Sequence, residues 1–330
     1  MLRFALFGAG RIGRVHAANV AQHPGAKLAS VYDVDPETAR GLAERYGGSV
    51  ADDVEAAVAD CDAVLICSPT PTHAELIEAA VRHGKAIFCE KPIDLDLDRV
   101  DRLIGQVEES GVPFFVGFNR RFDPSFARLK AELAEGKVGA LEMLTITSRD
   151  PSPPPPAYVK ASGGLFRDMM IHDFDMARWL IGGDPIEVHA AASNLVDPGI
   201  GAEGDVDTAV VLLKTASGAL VQIGNSRRAV YGYDQRIEAF GSEGMLVAGN
   251  QLESTVVRYG REGVVAERPQ AFFLERYAAA YRAELDHFVS ASTAADPVLL
   301  IGPRDGRQAL ALAEAALASL GAGRPVPFPG

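Results

Sequence analysis

Cysteine is scarce in this chain: Cys61, Cys67 and Cys89 are the only three among 330 residues. They are odd in number, fall in or beside apolar runs, and show neither a CxxC pair nor Cys/His ligand spacing. They read as buried reduced thiols, which excludes a disulfide framework and a zinc site. A basic cluster is also missing. Lys and Arg number 32 against 44 Asp and Glu, a net charge of −12, which disfavours nucleic acid and anionic membrane surfaces as partners, since both reward clustered cations. No apolar run approaches the roughly 20 residues of a membrane span. The amino terminus, Met1-Leu2-Arg3-Phe4-Ala5-Leu6-Phe7, leads straight into a glycine loop without a charged n-region, apolar core or cleavage site, so a cytoplasmic protein is expected. What is present is an ordinary globular composition, 48% hydrophobic and 23% charged, enough for one large or two medium domains.

The first half alternates. Residues 2–7 form an apolar strand broken only by Arg3, followed by Gly8-Ala9-Gly10-Arg11-Ile12-Gly13 and a helical pattern through Ile12, Val15, His16, Asn19 and Val20. A glycine pattern between strand and helix suits a dinucleotide: Gly8 for the tight turn, Gly10 for close approach of a pyrophosphate, Gly13 for helix–strand packing. A second strand, 27–32, ends in Asp33, 20 residues beyond Gly13. A carboxylate there accepts from a ribose diol and repels a 2′-phosphate, which favours NAD over NADP. Asp35, before Pro36, is placed to cap the next helix.

A helix over 36–46, a short one at 54–58 and a strand at 63–67 continue the pattern of a parallel, doubly wound sheet. The loop Ser68-Pro69-Thr70-Pro71-Thr72-His73 leaves that strand at its carboxyl end, with Thr72 as the expected N-cap of a helix over 74–82. The strand 86–89 then runs into Glu90-Lys91-Pro92. This puts a positive charge where open α/β sheets place ligands, although a surface lysine before a turn explains the same residues. A helix over 97–110 and a sixth strand at 113–116 complete two mononucleotide-binding halves.

In the second half a helix is expected over 125–135 and a strand over 141–149. The prolines between 151 and 156 should hold a stiff extended loop, either a spacer or a flap over substrate. After Gly163-Gly164 a helix is expected over 168–181, with Asp168, His172, Asp175 and Trp179 on one stripe. Taken alone, Asp168 reads equally as a cap and His172 as a core histidine. Alternating segments at 205–214, 219–228 and 235–240 suggest an antiparallel meander, and helices at 274–291 and 305–320 close the chain, with Tyr277 and Tyr281 on a core face.

These residues resemble the Gfo/Idh/MocA oxidoreductases and, within them, the enzymes that oxidise inositol. The resemblance rests on the glycine loop, Ser68-Pro69-Thr70-x-Thr72-His73, Glu90-Lys91-Pro92, Gly117-Phe118-Asn119-Arg120-Arg121-Phe122-Asp123, and Asp168 followed by His172-Asp173. It implies an α/β fold: an N-terminal Rossmann dinucleotide-binding domain, 1–120, and a C-terminal α+β domain, 121–330, whose open-faced, mostly antiparallel sheet backs the active site and builds a homo-oligomer, a tetramer. It implies a cis Lys91–Pro92 bond and catalysis by Lys91, Asp168 and His172. NAD contacts are implied for Gly8, Gly10, Arg11, Ile12, Gly13, Asp33, Ser68, Thr70, His73, Glu90, Lys91 and Arg120. A small cyclic polyol or sugar is implied at Lys91, Arg121, Asp150, Tyr158, Asp168, His172, Asp175 and Tyr233, with no metal. The expected reaction is NAD-dependent oxidation of a ring hydroxyl, that of myo-inositol first, with scyllo- or chiro-inositol or a pyranose as alternatives. Where the family's inositol enzymes often carry a histidine and an asparagine, this chain has Ser148 and Asp150, which leaves the ring isomer open. Relatives that use NAD to cleave glycosides, or bind it only as sensors, are the rival readings; a sensor need not keep the lysine and the histidine.

Overall fold

The computed structural model describes residues 1–294 and 298–328, and the chain forms two compact units: Met1–Asn119 with Ala280–Leu310, and Arg120–Ala279 with the segment from Ala311 onward. Each is taken by itself.

The first unit holds six strands: β1 (Leu2–Phe7), β2 (Ala26–Tyr32), β3 (Ser49–Val50), β4 (Ala63–Ile66), β5 (Ala86–Glu90) and β6 (Phe114–Gly117). They are parallel, in the order β3-β2-β1-β4-β5-β6. The crossovers are α1 (Arg11–Gln22), α2 (Pro36–Tyr46), α3 (Val54–Ala59), α4 (His73–Arg82) and α5 (Leu97–Ser110). β4 is buried throughout and β1 nearly so, as strands covered on both faces must be, and that explains their unbroken apolar runs. Strand order reverses between β1 and β4, which opens the ligand crevice at their carboxyl ends. Asp35 caps α2 as expected, accepting from Glu37 N–H at 3.2 Å. Thr72 does not cap α4. It ends a 3₁₀ turn (Thr70–Thr72), and its hydroxyl bonds the Pro69 carbonyl at 2.8 Å and Ser68 Oγ at 2.6 Å. The returning segment 280–310 plugs the core with Phe288, edge-on to Phe88 at 5.5 Å.

The second unit begins with α6 (Pro124–Ala134), capped by Asp123 through the N–H groups of Ser125 and Phe126. Its sheet has the order β12-β11-β7-β10-β9-β8-β15. The strands are β7 (Leu141–Arg149), β8 (Glu187–Ser193), β9 (Thr208–Lys214), β10 (Leu220–Ser226), β11 (Asp234–Gly241), β12 (Gly244–Ala248) and β15 (Val326–Pro327); β13 (Val257–Gly260) and β14 (Gly263–Ala266) form a separate hairpin. Of the expected meander, β9 and β10 pair antiparallel, but β7 lies between β10 and β11 and pairs parallel with β10. The helical segments after β7 carry the chain across before it re-enters the sheet, which permits that pairing. Alternation buries Leu144, Ile146, Val221, Ile223 and Ile237 on one face and leaves Met143, Val210, Leu212, Leu220, Phe240 and Met245 exposed on the other.

The helix expected over 168–181 is two elements. A π-helical turn (Leu165–Met169), closed by Met170 N–H on the Leu165 carbonyl at 2.9 Å, precedes α8 (Ile171–Ile181). Pro156 belongs not to the proline loop but to the first turn of α7 (Pro156–Ser162), where its missing N–H is harmless. A short α9 (Pro198–Ala202) follows β8; α10 (Phe273–Arg276) and α11 (Ala278–Ser292) are separated at Tyr277, and α12 (Pro303–Ala322) closes the helical set. Among the described residues no helix is long and apolar enough to cross a membrane.

Candidate active site

The cofactor half lies at the carboxyl ends of β1 and β4. Gly8 adopts φ +93°, and a Cβ on it would stand 2.5 Å from the Ser68 backbone nitrogen, so the two loops meet only because this residue is glycine. A Cβ at Gly13 would lie 2.0 Å from the Gly8 carbonyl oxygen, which is the close helix–strand contact anticipated there. A Cβ at Gly10 meets nothing within 4 Å, so there is open space beside this residue at the start of α1, where pyrophosphate binding needs it. Arg11 is exposed and Ile12 half-buried beside them. At the tip of β2, Asp33 accepts from Ala9 N–H at 2.7 Å and from Asp35 N–H at 2.9 Å. Its carboxylate thus braces the glycine loop from the position expected of a ribose acceptor. These features fit NAD.

Ser68 and Thr70 line the loop after β4. His73, 1% exposed, is buried beneath that loop, with Nε2 and Nδ1 each 2.8 Å from a carbonyl oxygen, that of Ser68 and that of Pro92. Burial lowers its pKa below the ordinary value, and a neutral ring donates to one of these acceptors at a time. His73 therefore ties the β4 loop to the turn at the end of β5. In that turn the Lys91–Pro92 bond is cis, and Lys91 is half-buried. Glu90 points inward, 2.6 Å from His16 Nε2.

The second unit gathers a polar cluster on the buried face of its sheet. Asp173, fully buried, takes Arg120 Nη1 on Oδ1 at 2.6 Å and Asn225 Nδ2 on Oδ2 at 2.9 Å. The Ser148 hydroxyl stands 2.6 Å from the same Oδ1 and 3.1 Å from Gln235 Oε1, which also accepts from the Tyr277 hydroxyl at 3.1 Å. Arg121 grips Asp175 through two bonds, at 2.9 and 2.5 Å. Arg227 is divided between two carboxylates, Asp150 and Asp168, each at 3.2 Å, and Tyr158 donates to the other oxygen of Asp168 at 3.1 Å. Burial pushes the Asp150 carboxyl up against the pull of Arg227. Burial also works against the charge of Arg227, yet Asp168 and Asp150 outweigh it and raise its pKa. Tyr233 is buried against the rings of Phe272 and Tyr277 at 5.9 and 6.0 Å, and burial lifts its hydroxyl well above the ordinary range. His172 stands half-buried in the first turn of α8.

Asp150, Tyr158 and Asp168 are thus brought together, while Arg121 and Asp175 pair with each other. Sequence reasoning named Asp173 without a role and passed over Arg227, Asn225 and Gln235. Parity along the strands carries the signal: Val221, Ile223, Asn225 and Arg227 alternate on the buried side of β10 and just past its end.

Residues 2–118 match the model of an oxidoreductase family with an NAD-binding Rossmann fold, and residues 126–247 match the GFO/IDH/MocA C-terminal domain. The chain belongs to the GFO/IDH/MocA oxidoreductases. Among members of that family, it is 50% identical over 321 residues to an inositol 2-dehydrogenase of Rhizobium meliloti, covering 97% of each chain. It is 48% identical over 322 residues to a myo-inositol 2-dehydrogenase of Thermotoga maritima, covering 97% of this chain and 96% of that one. A scyllo-inositol dehydrogenase from Lactobacillus casei, solved with bound NAD(H) and scyllo-inositol, superimposes with a TM-score of 0.92 at 31% identity over 99% of both chains. This GFO/IDH/MocA protein is an NAD-dependent oxidoreductase.

Proposed function

We propose that the protein oxidises one ring hydroxyl of a cyclic polyol in the cytoplasm, converting myo-inositol at its axial hydroxyl to the 2-keto product. The observation that carries this reading is the Asp168 carboxylate, buried yet divided between Tyr158 and Arg227, with Asp150 on the same guanidinium. A polyol needs many directional polar partners, and this cluster supplies them. The inositol 2-dehydrogenases named above, about half identical along the whole chain, indicate the substrate class.

NAD, when bound, accepts the hydride leaving the ring carbon. His172 takes the hydroxyl proton as general base, a task suited to a group that titrates near neutrality. Lys91 hydrogen-bonds the same oxygen and stabilises its developing alkoxide charge. Asp168 accepts a hydrogen bond from a neighbouring ring hydroxyl. Arg121, Asp150, Tyr158, Asp175 and Tyr233 orient the remaining hydroxyls. In this scheme residues 1–120 hold NAD and residues 121–330 present the polyol. The apolar outer face of the sheet, with Met143 beside both Leu220 and Phe240 in register, is the surface for self-association as a tetramer.

The test is NADH absorbance with purified protein, NAD and a panel of myo-inositol, scyllo-inositol, chiro-inositols and glucose. Stoichiometric NADH with myo-inositol is expected, and no NADH from any polyol would reject the dehydrogenase reading.

A further inference from the structure

Three ionisable side chains meet inside the first unit, away from its surface: His16 on α1, Glu90 at the end of β5 and Glu284 on α11. Their exposures are 0%, 8% and 0%. His16 Nε2 lies 2.6 Å from Glu90 Oε1, and one ligand-type atom from each residue lies within 4.8 Å of the others. Neither oxygen of Glu284 has a hydrogen-bond partner among the described residues, and neither has His16 Nδ1. The rings of Phe88 and Tyr281 pack on His16 at 5.0 and 5.8 Å and seal the cluster. We infer that His16, Glu90 and Glu284 form a proton-sharing triad that fixes Glu90 and thereby the side of the β5 end from which Lys91 emerges; the consequence for turnover rests on the role given to Lys91 above.

The protonation pattern follows from burial. An ionised Glu284 with no donor would be a second unpaired carboxylate beside Glu90, which an apolar interior does not tolerate. Burial first, and Glu90 second, push its carboxyl well above the ordinary range. Glu284 therefore keeps its proton, which puts a hydroxyl donor within 4.8 Å of Glu90 and His16. The other ionisable groups around it add no charge to displace that proton. The thiols of Cys67 after β4 and Cys89 on β5 are held neutral by burial, and burial lowers the pKa of His73 on α4. A shared cation is the poorer account of the same atoms. Two ligands of one zinc ion, each about 2.0–2.1 Å from it, stand well over 3 Å apart in a tetrahedral site, whereas His16 and Glu90 are at hydrogen-bond distance.

The mechanical consequence concerns Lys91. Consecutive residues of an extended strand project to opposite sides, so a Glu90 held inward directs its successor outward. β6 makes room for this. Gly117 is the register partner of Glu90, and a Cβ there would come 3.1 Å from Glu90 Oε2. On the far side of Lys91, buried His73 lies with Nδ1 2.8 Å from the Pro92 carbonyl oxygen. The lysine is thus bracketed by two buried anchors.

The experiment has two arms on the full chain with NAD and myo-inositol. In the first, infrared spectra with ¹³C-glutamate labelling compare wild type with Glu284→Gln from pH 6 to 8. A protonated-carboxyl band is expected in wild type and absent in the variant. In the second, Glu284→Gln, which still offers a donor of the same shape, keeps kcat within about threefold. Glu284→Val, which cannot, loses about tenfold or more in kcat at unchanged NAD affinity. A wild type without the protonated band, or a glutamine that fails to rescue what valine loses, overturns the triad. If Lys91→Met leaves kcat intact, the reading of Lys91 fails instead, and the infrared arm still decides the triad. Should Glu284→Val not fold, the infrared comparison stands alone.

Discussion

Asp173 receives the Arg120 guanidinium at 2.6 Å with both side chains buried, and this pair ties the turn at Arg120 to α8. Asp173 also gathers Asn225 and Ser148. Its replacement by alanine strands a buried cation together with two polar groups. Loss of one partner of a buried pair costs about 3–5 kcal/mol, so Asp173→Ala should lower the unfolding free energy by that amount, read as a lower urea midpoint at unchanged m-value. A loss below about 1 kcal/mol would show that Arg120 finds another acceptor.

Asp33 holds Ala9 N–H at 2.7 Å, which gives its substitution two effects. Asp33→Ser removes the charge that opposes a 2′-phosphate and loosens the glycine loop. The ratio of kcat/KM for NADP to that for NAD should rise about 10- to 100-fold, mostly through loss with NAD. Wild type that prefers NADP, or a variant with an unchanged ratio, would refute Asp33 as the selector.

The first domain was legible in its sequence because its signals are local: a glycine loop between strand and helix, Asp35 before Pro36, unbroken apolar runs for doubly covered strands. The glycine loop and Asp33 lie where the spacing predicts. The second domain was less legible because its determinants are not local. β8 and β12 show weak patterning, and β15 spans only Val326–Pro327 and exists through its pairing with β8. The parallel β7–β10 pair depends on a crossover that no short window reveals. The π turn at Leu165–Met169 lies ahead of α8 in what reads as one helix, so Asp168 sits in a different element from His172 and Asp175, which share α8. Arg227 escaped notice because a buried arginine is rare.

Burial raises the Asp150 pKa, and the neighbouring Arg227 opposes that rise. With Arg227→Met, the Asp150 pKa must move further upward, because its main opposing cation is removed while desolvation stays. If ionised Asp150 accepts a ring hydroxyl, the acid limb of kcat/KM should shift to higher pH, with KM for the polyol rising about tenfold and NAD affinity unchanged. Arg227→Lys should restore part of the loss. An acid limb that does not move would separate Asp150 from substrate binding.

His172 and Lys91 are proposed to act on the reacting oxygen, so their removal should fall on turnover. His172→Ala is expected to lower kcat about 10²- to 10⁴-fold, as for other general bases, and Lys91→Ala about 10²- to 10³-fold, as for loss of a charge-stabilising donor. Both should retain NAD affinity, read by fluorescence titration. Near-normal turnover in either variant removes that residue from the mechanism.

Glu284 links the interior to the pH dependence of stability. Its carboxyl is raised well above the ordinary range by burial and by Glu90, whereas in the unfolded chain it ionises near pH 4.3. Between those two values the folded state binds one more proton than the unfolded state. Stability therefore falls as pH rises, by about 1.4 kcal/mol per pH unit for this group. Below about pH 4 both states are protonated and the difference vanishes. Glu284→Gln removes the titration while keeping the shape. Urea unfolding at half-unit steps from pH 5.5 to 8 should thus show the variant gaining on wild type as pH rises, by at most about 1.4 kcal/mol per unit. Parallel curves would mean that Glu284 ionises in the folded protein much as it does in the unfolded one. In that case a donor must reach its carboxylate, and His16 Nδ1 is the group in the cluster able to supply one.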